Sequence, residues 1–133
     1  AARKGIVLSG VSAGAICWFS LGCSDSRRFS RANGAMIKVR GLGLVPALFC
    51  PHYHFEKHRK SALRKIMKGT SGVGIAVDNC CAIEIIGNSF RIISSKRNVS
   101  AFLVYWKKGK YFEEKIIEKR NFFPLPTLLK KVR

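Results

Sequence analysis

One serine of this chain stands between two glycines in a pattern that can hold a nucleophile. The motif GVSAG at residues 10–14 follows a short apolar run at residues 6–8 and precedes the apolar segment 13–19. This order predicts a strand, a tight turn and a helix. Such a turn makes the hydroxyl of Ser12 project from the edge of a sheet, and the glycines let strand and helix approach closely. The motif alone is weak, but its predicted context favours a nucleophile.

The chemistry of a serine nucleophile needs an oxyanion donor and a base. The backbone N–H of Ala13, at the start of the predicted helix, can donate to a developing oxyanion, and the helix dipole adds favourable potential. The chain contains three histidines, His52, His54 and His58. His52 directly follows an apolar segment and Pro51, where a strand end is expected. Each of the three could also be an ordinary solvent-exposed histidine.

The elements that must position these residues can be predicted from apolar runs and turn residues. Residues 22–34 are rich in polar residues and glycine and predict a loop. Glycines close a predicted helix at residues 56–68, and an apolar run at 42–50 contains Pro46. Successive strands are predicted at 73–77, 82–86 and 90–93, followed by a hairpin of 101–106 and 111–117. We expect one domain, residues 1–133, with a basic peripheral tail at 120–133.

Four segments, in order, resemble one enzyme family, the dipeptidase E-like serine peptidases (peptidase family S51). The segment GVSAGAICWF at residues 10–19 resembles the nucleophile segment of that family, and SDS at 24–26 resembles the acidic motif after it. The segments GLGLVP at 41–46 and FCPHY at 49–53 resemble the histidine segment, and AVDN at 76–79 resembles a later acidic turn. The similarity runs from about residue 1 to residue 95.

The resemblance implies an α/β fold of the class I glutamine amidotransferase type, with three layers, and acyl transfer without a cofactor. It implies that Ser12 is the nucleophile, that His52 is the general base and that small peptides are the substrates. Asp25 is the implied acid that orients the imidazole, and Asp78 is the alternative. Relatives carry an acidic residue followed by glycine at the later turn. This chain has DNC at 78–80, so Asp78 could be only a turn residue.

One departure from the family concerns the amino-terminal half. Family members carry further parallel strands and a glycine-rich loop before the serine, and that loop supplies the second oxyanion donor. The chain begins with Ala1 and has no counterpart of this half. We therefore expect a fragment that is weakly active or inactive alone, and that would need self-association or a separate amino-terminal half. A non-catalytic remnant of the peptidase fold is the alternative.

The composition bounds the remaining function classes. The 133 residues are 47% hydrophobic, enough for a packed core, and no apolar stretch is long enough to span a bilayer. Lysine and arginine number 25 against 7 acidic residues, a net charge of +18 that favours anionic partners. A basic nucleic-acid-binding module is therefore an alternative function, with base stacking by the aromatic residues Tyr53, Tyr105, Trp106 and Tyr111. These aromatics alternate with apolar residues, so we expect most of them in the core and no nucleic-acid partner.

The cysteines suggest neither a disulfide framework nor a metal centre. Five cysteines form an odd set without repeated spacing, which favours a reducing cytoplasm. Cys50, His52 and His54 alternate along one segment, and Cys80 and Cys81 offer further soft ligands. Their spacing fits no common zinc pattern, so we expect no metal.

Overall fold

The helices and strands of the chain follow the order of a mixed α/β protein. The computed structural model describes residues 4–28, 30, 34–117 and 121–130. A 3-10 turn lies at Ser26–Arg28. The helices and strands are α1 (Ala13–Ile16), β1 (Phe19–Ser24), β2 (Ile37–Arg40), β3 (Val45–Cys50), α2 (Arg59–Lys68), β4 (Gly74–Val77), β5 (Cys81–Ile86), β6 (Ser89–Ser94), β7 (Ala101–Lys107), β8 (Lys110–Ile116), β9 (Phe123–Pro124) and α3 (Pro126–Leu129).

Two sheets organise these strands. The larger has the order β2-β1-β3-β4-β7-β8, and its centre is parallel because β3 pairs in parallel with both β1 and β4. Its outer pairs are antiparallel, including the predicted hairpin of β7 and β8. The smaller sheet is antiparallel and has the order β5-β6-β9. The α/β class expected from the sequence is therefore confirmed.

The large sheet has a hydrophobic core on each face. Side chains alternate along a strand, so Phe49 and Leu48 of β3 point to opposite faces. Phe49 belongs to the cluster that includes Phe90 of β6 and Leu128 of α3. Leu48 belongs to the cluster that includes Leu63 of α2. The small sheet and α3 thus cover one face, and α2 covers the other.

The first predicted strand and helix differ from the structure. Residues 6–8 pair with no strand among the described residues, and Val7 is 88% exposed. The edges of β1 are occupied by β2 and β3, so the large sheet offers residues 6–8 no partner there. Helix α1 ends at Ile16, because the chain turns into β1 three residues later. The side chain of Ile16 then packs directly over Gly22, where a Cβ would collide with it.

The predicted loop at 22–34 and the predicted peripheral tail are also corrected. Residues 22–24 lie in β1, where pairing with β2, and at Gly22 also with β3, outweighs their weak strand propensity. In the tail, β9 pairs with β6, and Leu125 and Leu128 are buried in the core. The apolar residues of the tail therefore anchor it to the small sheet. Residues 118–120 and 131–133 lie outside the described residues. No helix among the described residues is long and apolar enough to cross a membrane.

Candidate active site

Ser12 lies on a strained bend directly before α1. Its backbone has φ 54° and ψ −116°, a conformation that few residues other than glycine adopt. The bend is tight because Gly10 lies against the start of the helix, where a Cβ would collide with the backbone carbonyl of Gly14. The carbonyl of Ser12 accepts hydrogen bonds from the N–H groups of Ala15 and Ile16 at 3.1 and 3.2 Å. Its hydroxyl does not cap the helix and is free to meet another group.

The imidazole of His52 lies within hydrogen-bond distance of that hydroxyl. Nε2 of His52 is 2.8 Å from Oγ of Ser12. His52 follows Pro51 just beyond the carboxyl end of β3, and its φ of 57° is also positive. Serine and histidine are 40 residues apart in the sequence, and the fold brings the bend before α1 next to the carboxyl end of β3. Both side chains are half-buried, so both remain partly accessible to solvent.

The other ring nitrogen of His52 meets Asn79. Nδ1 lies 2.6 Å from Oδ1 of Asn79, on the turn after β4. Strand β4 is the parallel neighbour of β3, so the carboxyl ends of the two strands bring this turn beside His52. An amide oxygen can only accept a hydrogen bond, so this contact favours the tautomer in which Nδ1 carries the proton and Nε2 can accept one from Ser12. Cys80, the next residue, also has a positive φ, of 62°.

The two acids predicted from the sequence contact other groups. The carboxylate of Asp25 lies 3.3 Å from Nη2 of Arg59, a guanidinium that is buried and also binds Glu56. Burying the charge of Arg59 requires nearby carboxylates, and this requirement explains the position of Asp25. Asn79, and not Asp25, therefore meets Nδ1 of His52. The sequence signal near Asn79 was the altered acidic turn, where only Asp78 was considered, as the alternative to Asp25.

Both carboxylate oxygens of Asp78 accept hydrogen bonds from groups other than His52. Its Oδ1 accepts hydrogen bonds from the backbone N–H and from Nδ1 of His54, at 3.2 and 2.9 Å. Its Oδ2 accepts from the backbone N–H of Ser100 at 3.0 Å. Neighbouring residues of a turn point in different directions, so Asp78 joins the loops while Asn79 reaches His52. Asp78 acts here as a turn residue.

The remaining candidates are distributed around the site. Ala13 is the first residue of α1, so its N–H has no acceptor within the helix. His54 packs edge-on against Phe102, and His58 is exposed directly before α2. Cys50 is completely buried, so it does not join His52 and His54 in a common site. Among the described residues no three His, Cys, Asp or Glu side chains are grouped to hold a metal ion.

Comparison with known proteins identifies the family. Residues 1–93 match the family model of peptidase family S51. Over 104 residues the chain is 35% identical to an uncharacterized peptidase, YgaJ, of Bacillus subtilis (strain 168). The alignment covers 77% of this chain and 43% of that protein, so the chain spans less than half the length of this curated relative. The range matched by the family model, residues 1–93, contains Ser12, His52 and Asn79. On these matches the chain belongs to peptidase family S51.

Proposed function

We propose that this chain carries the nucleophile and general base of a serine peptidase of the dipeptidase E-like kind, which hydrolyses small peptides. The observation that supports it is the 2.8 Å contact between Oγ of Ser12 and Nε2 of His52. The positive φ of both residues adds support, because strained backbone of this kind is typical of functional sites. Family membership supports peptide hydrolysis as the reaction.

The proposed reaction is acyl transfer through Ser12. Nε2 of His52 takes the hydroxyl proton while Oγ attacks the peptide carbonyl carbon. The N–H of Ala13 donates to the oxyanion that forms. The imidazolium then protonates the leaving amine, and a water activated by His52 hydrolyses the ester. Asn79 holds the imidazole in the required tautomer, and the mechanism uses no cofactor.

The proposal includes a second part, in which the fold is of the class I glutamine amidotransferase type and is completed by polypeptide outside these 133 residues. That polypeptide would supply a second oxyanion donor and strands beside residues 6–8. Ile6, Val7 and Val11, beside the bend at Ser12, are 56%, 88% and 84% exposed. Apolar side chains this exposed support packing of further polypeptide against them. Missing one oxyanion donor costs about a hundredfold or more in rate, so the chain alone would hydrolyse peptides slowly. No disulfide joins the cysteines of the described residues, which supports a reducing compartment such as the cytoplasm.

Labelling by a fluorophosphonate tests the proposal without knowledge of the substrate. This reagent phosphonylates a serine whose hydroxyl is activated by a neighbouring base. We expect labelling of the unmodified chain at Ser12 and none in Ser12→Ala. His52→Gln should lower the labelling rate at least about a hundredfold, since general-base catalysis contributes factors of that size.

Ser9→Ala is the matched control, because Ser9 is an exposed serine three residues away. This variant should be labelled at the same rate as the unmodified chain. Labelling of Ser12 at an equal rate in His52→Gln, or no labelling of the unmodified chain, would contradict the proposed dyad. Hydrolysis of dipeptides that begin with aspartate, assayed with the same variants, then tests the substrate class.

A further inference from the structure

Two cysteines outside the proposed active site lie side by side in the core. Gly22 of β1 aligns with Phe49 of β3 in the parallel ladder, and one residue further along are Cys23 and Cys50. Both side chains are completely buried in the cluster beneath α2, so they project to the same face of the sheet. Neighbouring strands are separated by about 4.8 Å. This separation lies within the range of about 4.4 to 6.8 Å that Cα atoms span in disulfides.

The surroundings make the two thiols unequal. The adjacent Cys50 thiol, together with the charge of Arg59, lowers the pKa of Cys23 against the opposing effect of burial. Burial raises the pKa of Cys50. Arg59 is held at this place by the carbonyl of Cys23, to which Nη1 donates at 3.1 Å. A lowered pKa favours the thiolate, which is the form that oxidants attack, and a second thiol beside it can resolve a sulfenic acid.

A groove gives small molecules a path towards the pair. An open cavity of about 410 Å³ lies between α2 and residues 34–36, and Met36 forms part of its wall. Sδ of Met36 is 3.8 Å from Sγ of Cys23. The flexible side chain of Met36 therefore separates Cys23 from solvent in the groove. Arg28, His58 and Lys65 also line the groove.

We propose that Cys23 is a site of oxidation by small hydroperoxides, and that oxidation ends in a disulfide between Cys23 and Cys50. The Cys23 thiolate attacks one peroxide oxygen, the O–O bond breaks, and a sulfenic acid and one water or alcohol form. The sulfur of Cys50 then attacks the sulfenic sulfur, the S–O bond breaks, and a second water leaves. The two thiols lose two electrons, which reduce one hydroperoxide, and their protons end in the two products.

The disulfide would join the strand that follows the elbow to the strand that leads to His52. Cys50 lies two residues before His52, and β1 begins directly after α1. The inference concerns the core and does not depend on whether Ser12 is a nucleophile.

Peptide mapping of the native chain after treatment with hydrogen peroxide tests the proposal. We expect two peptides linked through Cys23 and Cys50, with a combined mass lower by two hydrogen atoms. Dithiothreitol should separate them again. The oxidised form should unfold at a higher temperature than the reduced form, because the bond restricts the unfolded chain. In Cys50→Ser the reaction should stop at the sulfenic acid, which dimedone traps on Cys23.

The matched control is the triple variant Cys17→Ser/Cys80→Ser/Cys81→Ser, which keeps only the buried pair and should form the same bond. Met36→Leu removes a competing oxidation site and should still give the linked peptides. Mapping of the unmodified chain gives a result even if a variant does not fold. Oxygen added to Met36 or to the other cysteines, with Cys23 and Cys50 both still reduced in the native chain, would overturn the proposal.

Discussion

The side chain beside Nδ1 of His52 is an amide where a serine hydrolase normally has a carboxylate. Asn79 can accept the Nδ1–H hydrogen bond, as its 2.6 Å contact indicates, and so fixes the tautomer. It carries no charge, however, and could not stabilise the imidazolium that the proposed reaction would form on deprotonation of Ser12. Replacing the amide nitrogen of Asn79 by oxygen, as in Asn79→Asp, would therefore place a charged carboxylate beside His52.

Asn79→Asp should increase the activity of the site. A carboxylate at this distance favours the protonated imidazole, so the acidic limb of the pH–rate profile should move up by about one to three pH units. On the plateau above that limb, the fluorophosphonate labelling rate should rise about tenfold or more, because the imidazolium of the transition state is stabilised. The measurement is the labelling rate of Ser12 as a function of pH.

The matched control is Asp78→Asn, which exchanges the same two groups at the neighbouring residue. Asp78 binds His54 and Ser100, so its loss should lower the thermal unfolding midpoint and leave the limb where it is. A profile for Asn79→Asp that coincides with that of the unmodified chain would show that the contact with His52 does not act on the reaction.

The limits of sequence reasoning are clear from these residues. Spacing and residue type suggested Ser12 and His52, because a nucleophile elbow and a histidine at a strand end are local patterns. Asn79 was not proposed, since an amide is not an expected triad member and direction around a turn cannot be read from residue type. Asp25 was proposed by resemblance, whereas its position depends on Arg59, which lies 34 residues away in the sequence. Contacts of that kind are visible only in three dimensions.

The bend at Ser12, which joins residues 6–10 to helix α1, depends on one of its two flanking glycines more than on the other. A Cβ on Gly10 would collide with the backbone of Gly14 and Ala15, and neither can move without opening the bend. A Cβ on Gly14 would meet no atom within 4 Å. The two glycines are placed symmetrically about Ser12 in the GVSAG motif, but only Gly10 has no room for a Cβ in this chain.

Gly10→Ala should destabilise the chain, and Gly14→Ala should not. We expect Gly10→Ala to lower the free energy of unfolding by about 1–3 kcal/mol, the usual cost of overpacking. Gly14→Ala should leave it unchanged or raise it by up to about 1 kcal/mol, because alanine favours the helix. Urea unfolding followed by circular dichroism measures both. Equal losses in the two variants would mean that the close approach at Gly10 does not determine the bend.

The remaining elements show where local patterns suffice. The hairpin of β7 and β8 was predicted within one residue at each end, because its turn and its apolar strands are adjacent in sequence. Strand β1 was missed since Gly22 has little strand propensity, and its place depends on β2 and β3 on either side. Residues 6–8 show the converse, because a β-favouring sequence forms no strand without a partner. Pairing between distant segments decides these cases.

The whole molecule is strongly cationic, and its core accounts for much of its aromatic content. Tyr53 and Tyr105 are buried, and their hydroxyls donate to Glu113 and Glu114. These two rings are therefore unavailable as platforms for stacked bases. Acidic residues number 7 against 25 basic ones, too few for one-to-one pairing. The net charge of +18 then acts mainly as repulsion within the folded chain.

This repulsion should make the stability of the chain depend on salt. Raising the ionic strength from about 0.01 to 0.15 M shortens the screening length from about 30 to 8 Å, so the thermal unfolding midpoint should rise. Replacing the exposed lysines Lys57, Lys96 and Lys110 by glutamine removes three charges and should reduce this rise. Replacing the same three by arginine keeps the charge and should leave the rise unchanged. A midpoint that is constant over this range in the unmodified chain would mean that the excess charge is already spaced widely enough to cost no stability.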